Sequence, residues 1–145
     1  MGAMEQAKNL ASTQNNILFT GLLKGTERLE LLRDTSVLIY PSTNEIFGLS
    51  PFEGLLCGAP TIVCNDCGCG ELISRAQAGL LVPYAQPKQL RARIRQLVHD
   101  SAMQQIMVQR GREYIRRHLS FEKVAERHLE MYQNIIHPSS HKNSP

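Results

Sequence analysis

Val37-Leu38-Ile39-Tyr40-Pro41, then Ser50-Pro51-Phe52-Glu53-Gly54-Leu55-Leu56-Cys57-Gly58, then Pro60-Thr61-Ile62-Val63-Cys64 follow one another along the chain, and their order decides the fold. Four consecutive apolar residues stopped by a proline read as a strand buried on both faces. In the second stretch Ser50 is placed as an N-cap, Pro51 at the first helical position and Glu53 at the third, the pattern of a capping box. Gly58 then ends the helix. The third stretch is apolar again, so a strand from Pro60 to Cys64 is expected. A strand, a crossover containing a helix and a second strand form a βαβ unit, whose strands run parallel.

The same alternation extends outward. Downstream, a helix is expected from about Gly70 to Ala76 and a strand over Gly79-Leu80-Leu81-Val82. Upstream, Ile17-Leu18-Phe19-Thr20 ends at Gly21 and reads as a buried strand, and a helix over Glu27 to Asp34 places Leu29, Leu31 and Leu32 on one side. The class is α/β, with a parallel sheet of about four strands and flanking helices. From Pro87 onward only helical spacing remains. Leu90, Ile94, Leu97 and Val98 form one apolar stripe, Ile106, Met107, Tyr114 and Ile115 a second. Ser120 caps a last helix whose inward stripe is Phe121, Val124, Ala125, Leu129, Tyr132 and Ile136. All three stripes are expected in the core.

Three segments follow from this pattern: a loose or weakly helical stretch over residues 1–15, whose Met1-Gly2-Ala3-Met4 reads as an expression remnant, a folded domain over 16–137 and a disordered tail over 138–145. The 145 residues carry 42% apolar and 20% charged side chains, which points to one globular domain rather than a disordered chain. The net charge of +3 owes much to Arg91, Arg93, Arg95, Arg110, Arg112, Arg116 and Arg117. Without aromatic platforms among them, a solvated face is favoured over nucleic-acid binding, and contact with an anionic membrane surface stays open. The amino terminus lacks a charged-then-apolar signal pattern, so a cytoplasmic location is expected. Cys57, Cys64, Cys67 and Cys69 lack the two separated ligand pairs of a zinc site and are read as reduced structural thiols, with neither a metal nor another cofactor expected.

Candidate chemistry lies between Tyr40 and Glu53, in Pro41-Ser42-Thr43-Asn44-Glu45-Ile46-Phe47-Gly48-Leu49-Ser50. A loop leaving the carboxyl end of a parallel strand stands at the sheet edge where ligands bind. The helix it enters offers unpaired N–H groups and the positive end of its dipole, suited to a phosphate. Gly48 lets backbone approach such a ligand. Glu45 and Glu53, eight residues apart, can accept hydrogen bonds from hydroxyls. Each also has a plain alternative, Glu53 as the closing residue of its capping box and Glu45 as an exposed loop acid. A glycosidase pair is disfavoured, because the helix amino terminus favours anion binding over acid catalysis by Glu53.

Pro41-Ser42-x-x-Glu45-x-Phe47-Gly48-Leu49-x-x-x-Glu53, followed by Gly58-x-Pro60-x-x-Val63, Gly68-x-Gly70-Glu71 and Gly79-Leu80-Leu81-Val82, resembles the carboxyl-terminal half of retaining glycosyltransferases with two Rossmann-like domains (GT-B), among them glycogen and sucrose synthases and bacterial polysaccharide and lipid glycosyltransferases. The resemblance spans about Ile17 to Ile136. It implies that Glu45 contacts the donor sugar and is the catalytic residue, and that Ser42 and the backbone of Phe47, Gly48 and Leu49 approach sugar and diphosphate. Glu53 is then the residue that binds ribose hydroxyls. The implied donor is a nucleotide diphosphate sugar, the implied reaction retaining transfer to a hydroxyl acceptor, with the diphosphate assisting deprotonation of the acceptor.

Against the family's pattern, Gly54 stands where alanine is usual, and two βα units bearing an Arg and a Lys are expected ahead of Ile17, with an acceptor-binding domain before them. A chain lacking these is expected to retain part of the donor site and to be inactive alone; a non-catalytic module that binds nucleotide sugars is the alternative. The gap in an otherwise 3-2-1-4-5-6 sheet is expected to close by pairing of strand 17–20 with strand 37–40, or to be filled by another chain.

Overall fold

In the computed structural model the described residues are 2–12, 14 and 16–137. The chain forms helix α1 (Ala3–Ala11), helix α2 (Gly25–Asp34), strand β1 (Leu38–Tyr40), helix α3 (Ser50–Cys57), strand β2 (Thr61–Cys64), helix α4 (Gly68–Ala76), strand β3 (Gly79–Val82), and helices α5 (Pro87–His99), α6 (Ser101–His118) and α7 (Phe121–Ile136). Among the described residues the sheet has three strands in the order β1-β2-β3, all parallel. Leu38 stands opposite Thr61, and Thr61 opposite Gly79, which places every strand's carboxyl end along one edge.

Strand β2 is central and buried at all four residues, its Ile-Val-Cys run being apolar and its Thr61 hydroxyl donating to the Ala59 carbonyl at 3.3 Å. Its side chains join Phe52 and Leu55 of α3, Cys69 and Ile73 of α4, Val82, Leu97 of α5 and Met107 and Val108 of α6 in one core. Helix α3 ends at Gly58, whose φ of 106° is open to glycine. Hydrogen bonds from Ala59 N–H to the Gly54 carbonyl (2.8 Å) and from Gly58 N–H to the Leu55 carbonyl (3.2 Å) make this a Schellman turn. Gly54 has a packing reason as well: a Cβ there would stand 2.5 Å from Leu38 Cδ2, so the missing methyl lets α3 sit close on β1.

Three expectations are corrected. Residues 17–20 form no strand and pair with no other; Leu18 is 83% exposed, and β1 is left as an edge. An apolar run becomes a strand only where a neighbour takes its N–H and C=O groups, and residues 18–20 instead line an open cavity together with Met4 and Lys8 of α1. The direct pairing of 17–20 with 37–40 is therefore not formed, and the sheet has three strands rather than four. The stripe on α7 is not core: none of its residues is buried and Phe121 is 93% exposed. The other two stripes are buried only in part. Leu97 and Met107 are inside, Leu90, Ile94 and Ile115 pack on the core, and Val98 and Ile106 face solvent. Helical spacing marks an apolar face but does not supply the surface that covers it.

Ser120 does cap α7, accepting a hydrogen bond from the Lys123 N–H at 3.3 Å. Residues 3–11 are helical, and the expected tail at 138–145 lies outside the described residues. Among the described residues no helix is long and apolar enough to cross a membrane.

Candidate functional site

Pro41 lacks the N–H needed to continue β1, and the chain turns there into the loop that leads to α3. Two residues of that loop take left-handed backbone, Asn44 at φ 55° and Gly48 at φ 69°. Gly48 is restricted twice over, because a Cβ would also come within 2.9 Å of the Tyr40 ring. The loop is fastened to the β2–α4 turn at two points. Thr43 Oγ1 donates to Asp66 Oδ2 (2.7 Å), and the Gly68 N–H donates to the Glu45 carbonyl (3.1 Å). Only glycine fits at 68: a Cβ would stand 1.8 Å from the Ile46 carbonyl oxygen.

Within the loop the Glu45 carboxylate accepts hydrogen bonds on Oε2 from the Tyr40 hydroxyl (3.2 Å) and, at the limit of such contacts, from Ser42 Oγ (3.5 Å). Burial first, and then this bond to Glu45, hold the Tyr40 phenol above its ordinary value. Ser42 and Glu45 thus form one polar cluster with Tyr40. Phe47 stacks on Phe52, ring centroids 5.3 Å apart, and so ties the loop to the first turn of α3. Leu49 is exposed at the helix start.

The capping box expected at Ser50 and Glu53 does not form. Leu49 already has helical backbone (φ −76°, ψ −29°), so the helix begins one residue early and Ser50 lies inside it. Phe52 and Glu53 donate their N–H groups to the Leu49 carbonyl at 3.0 and 3.1 Å, and neither donates to the Ser50 hydroxyl. The N–H groups of Leu49 and Ser50 precede these first helical bonds, and Pro51 has none. Freed from capping, the Glu53 carboxylate pairs with Arg28 Nη1 of α2, and this bond, with Glu53's charge, raises the Arg28 pKa. Glu45 and Glu53 therefore engage different partners. A cavity of about 310 Å³ opens at the carboxyl ends of the strands, lined by Pro41, Cys64, Val82, Tyr84 and Leu90; its wall contains neither carboxylate.

Sequence reasoning missed Tyr40, Arg28, Asp66 and the steric role of Gly68. Tyr40 lay in view as the last residue of a strand. Arg28 gave no signal, since its partner is 25 residues away. None of the four cysteines is joined in a disulfide, and Cys64, Cys67 and Cys69 are buried. Cys67 Sγ donates to the Cys64 carbonyl at 3.1 Å and lies 3.2 Å from Cys69 Sγ. Burial, followed by the hydrogen bond with Cys67, pushes the Cys69 thiol up to about 12.

This parallel α/β architecture is similar to that of GT-B glycosyltransferases, as superposition on a solved structure shows. Sucrose-phosphate synthase from Thermosynechococcus elongatus superimposes with a TM-score of 0.77 at 25% identity, over 94% of this chain and 34% of that one. The carboxyl-terminal domain of a glycosyl transferase group 1 family protein from Francisella tularensis shares the fold, with a TM-score of 0.66 at 22% identity over 81% of this chain and 61% of that one. Residues 3–114 match the model of the family described as Glycosyl transferases group 1, and the chain belongs to that family. Similar curated proteins include an alpha-1,3/1,6-mannosyltransferase of Rhizomucor pusillus, 29% identical over 77% of this chain and 24% of its own length. A glycogen synthase of Mycobacterium tuberculosis is 29% identical over 79% of this chain and 28% of its own length. The chain thus spans about a quarter of the length of these two curated relatives.

Proposed function

We infer that this chain forms part of the donor site of a glycosyltransferase that takes its sugar from a nucleotide diphosphate sugar and transfers it with retention to a hydroxyl acceptor. The observation that carries this reading is the loop from Pro41 to Leu49, braced against α4 and opening onto the start of α3, with Glu45 clustered beside it. In that reading Glu45 meets the donor sugar and is the catalytic residue. Ser42 and the backbone of Phe47, Gly48 and Leu49 line the diphosphate, and Glu53 takes the ribose hydroxyls. Backbone N–H groups fixed at a helix start stabilise charge that develops on a departing diphosphate. The protein's contribution to chemistry is then largely electrostatic. No cofactor is invoked. Taken alone, this chain is expected to bind donor weakly and not to turn it over, and the acceptor is expected to be held by a part of the whole protein outside it.

The pairing of Glu53 with Arg28 engages the carboxylate assigned to ribose, so this assignment requires the pair to open or to share that carboxylate. Titration with uridine, guanosine and adenosine diphosphate sugars, followed by backbone amide shifts, tests the site. Shifts are expected at 42–53. Glu53→Ala should weaken every nucleotide ligand, whereas Glu45→Ala should matter chiefly when the sugar is attached; equal losses in both variants for both ligand types would overturn the assignment.

A further inference from the structure

The pairing of Arg28 with Glu53 joins helix α2 to helix α3. Leu32 is the buried residue of α2 among those described, while Leu29 and Leu31 are exposed. Arg28 extends from the first turn of α2 to Glu53 Oε2 in the first turn of α3, 25 residues further along the chain. The pair is reachable from solvent, with side-chain exposures of 41% for Arg28 and 30% for Glu53.

A carboxylate that holds a vicinal diol commits both its oxygens, one to each hydroxyl. In this structure a guanidinium holds one of them, and a charge-assisted bond of that kind is about twice as strong as a bond from a neutral hydroxyl. A ribose arriving at Glu53 therefore competes with Arg28 for the lone pairs of Oε2. We propose that Arg28 is a latch on Glu53, a positioning residue that sets the affinity of this site for ribose-bearing nucleotides by competing with the 2′- and 3′-hydroxyls for the same carboxylate. This rests on the assignment of Glu53 to ribose made above.

Because an exposed ion pair contributes little, the latch has a bounded effect: its removal tightens ribonucleotide binding by up to about fivefold. Arg28→Met removes the charge and keeps the apolar stem. Isothermal titration of the full chain with uridine, guanosine and adenosine diphosphates, and with their 2′,3′-dideoxy analogues, separates the latch from a general change in charge or stability. Arg28→Met is expected to bind at least one ribonucleotide more tightly than the unmodified chain and to leave the dideoxy analogue unchanged, and Arg28→Lys should fall between the two. Equal tightening for both analogues, no change, or weaker ribonucleotide binding would overturn the latch. A failure of the underlying site has a different signature. If neither protein binds any nucleotide, or if Glu53→Ala leaves the preference for ribose over dideoxyribose intact, Glu53 does not hold ribose and the latch falls with it.

Discussion

Gly68→Ala puts two local rules in opposition. Gly68 opens α4, and alanine is favoured over glycine in helices by about 1 kcal/mol, so helix propensity alone forecasts a more stable protein. The tertiary structure forecasts the reverse. A Cβ at 68 would stand 1.8 Å from the Ile46 carbonyl oxygen and 2.9 Å from its carbon, where ordinary contact begins at 3.4 Å, a shortfall of 1.6 Å (3.4 less 1.8 Å). Both obstructing atoms are backbone, so no rotamer change relieves the overlap, and the loop has to lift away from α4. Lifting it breaks the 3.1 Å hydrogen bond from Gly68 N–H to the Glu45 carbonyl, worth about 1 kcal/mol, and adds an overpacking cost of about 1–3 kcal/mol. Less the gain in propensity, the net loss is about 1–3 kcal/mol. Urea unfolding followed by circular dichroism should show the midpoint fall by on the order of 1 M at unchanged slope, and amide shifts should report displacement of residues 43–48. An unchanged or raised midpoint would refute the packing of the loop on α4.

Two further outcomes are expected. Arg112 donates from Nε and Nη2 to the Leu55 and Leu56 carbonyls at 3.1–3.3 Å, satisfying the last turn of α3 from α6; Arg112→Ala should lower unfolding stability by about 1 kcal/mol, measured in urea. The Cys69 thiol, raised from its ordinary 9.0 to about 12, binds its proton more tightly in the folded chain than in the unfolded one. Its contribution is therefore complete below about pH 9 and lost as pH climbs from 9 towards 12, with Cys64, also raised by burial, acting in the same direction. Urea midpoints between pH 8 and 11 should decline on this account, and Cys69→Ser should flatten the decline.

How much could be read in advance differs from element to element. The unit β1-α3-β2 was legible because its signals are local: an apolar run, Pro51 near a helix start, Gly58 at its end. The capping box was locally persuasive too, yet it failed, because the Leu49 carbonyl took the N–H groups that Ser50 would have capped. Ile17–Thr20 and Phe121–Ile136 carry the apolar pattern of buried elements and remain exposed, since burial depends on a partner surface that no local pattern contains. Within the candidate site, the position of the loop followed from sequence, while the left-handed backbone at Gly48 did not. The partners of its two carboxylates, Tyr40 for Glu45 and Arg28 for Glu53, did not.

The sequence by itself determined the alternation of strand and helix, the parallel α/β class and the place of the loop, because these follow from side-chain periodicity and from the backbone limits of proline and glycine. Tertiary structure alone decided which apolar faces are covered, why Gly68 must lack a side chain, and that Glu53 is paired across helices, because each is a contact between segments whose separation along the chain carries no record of their distance in space.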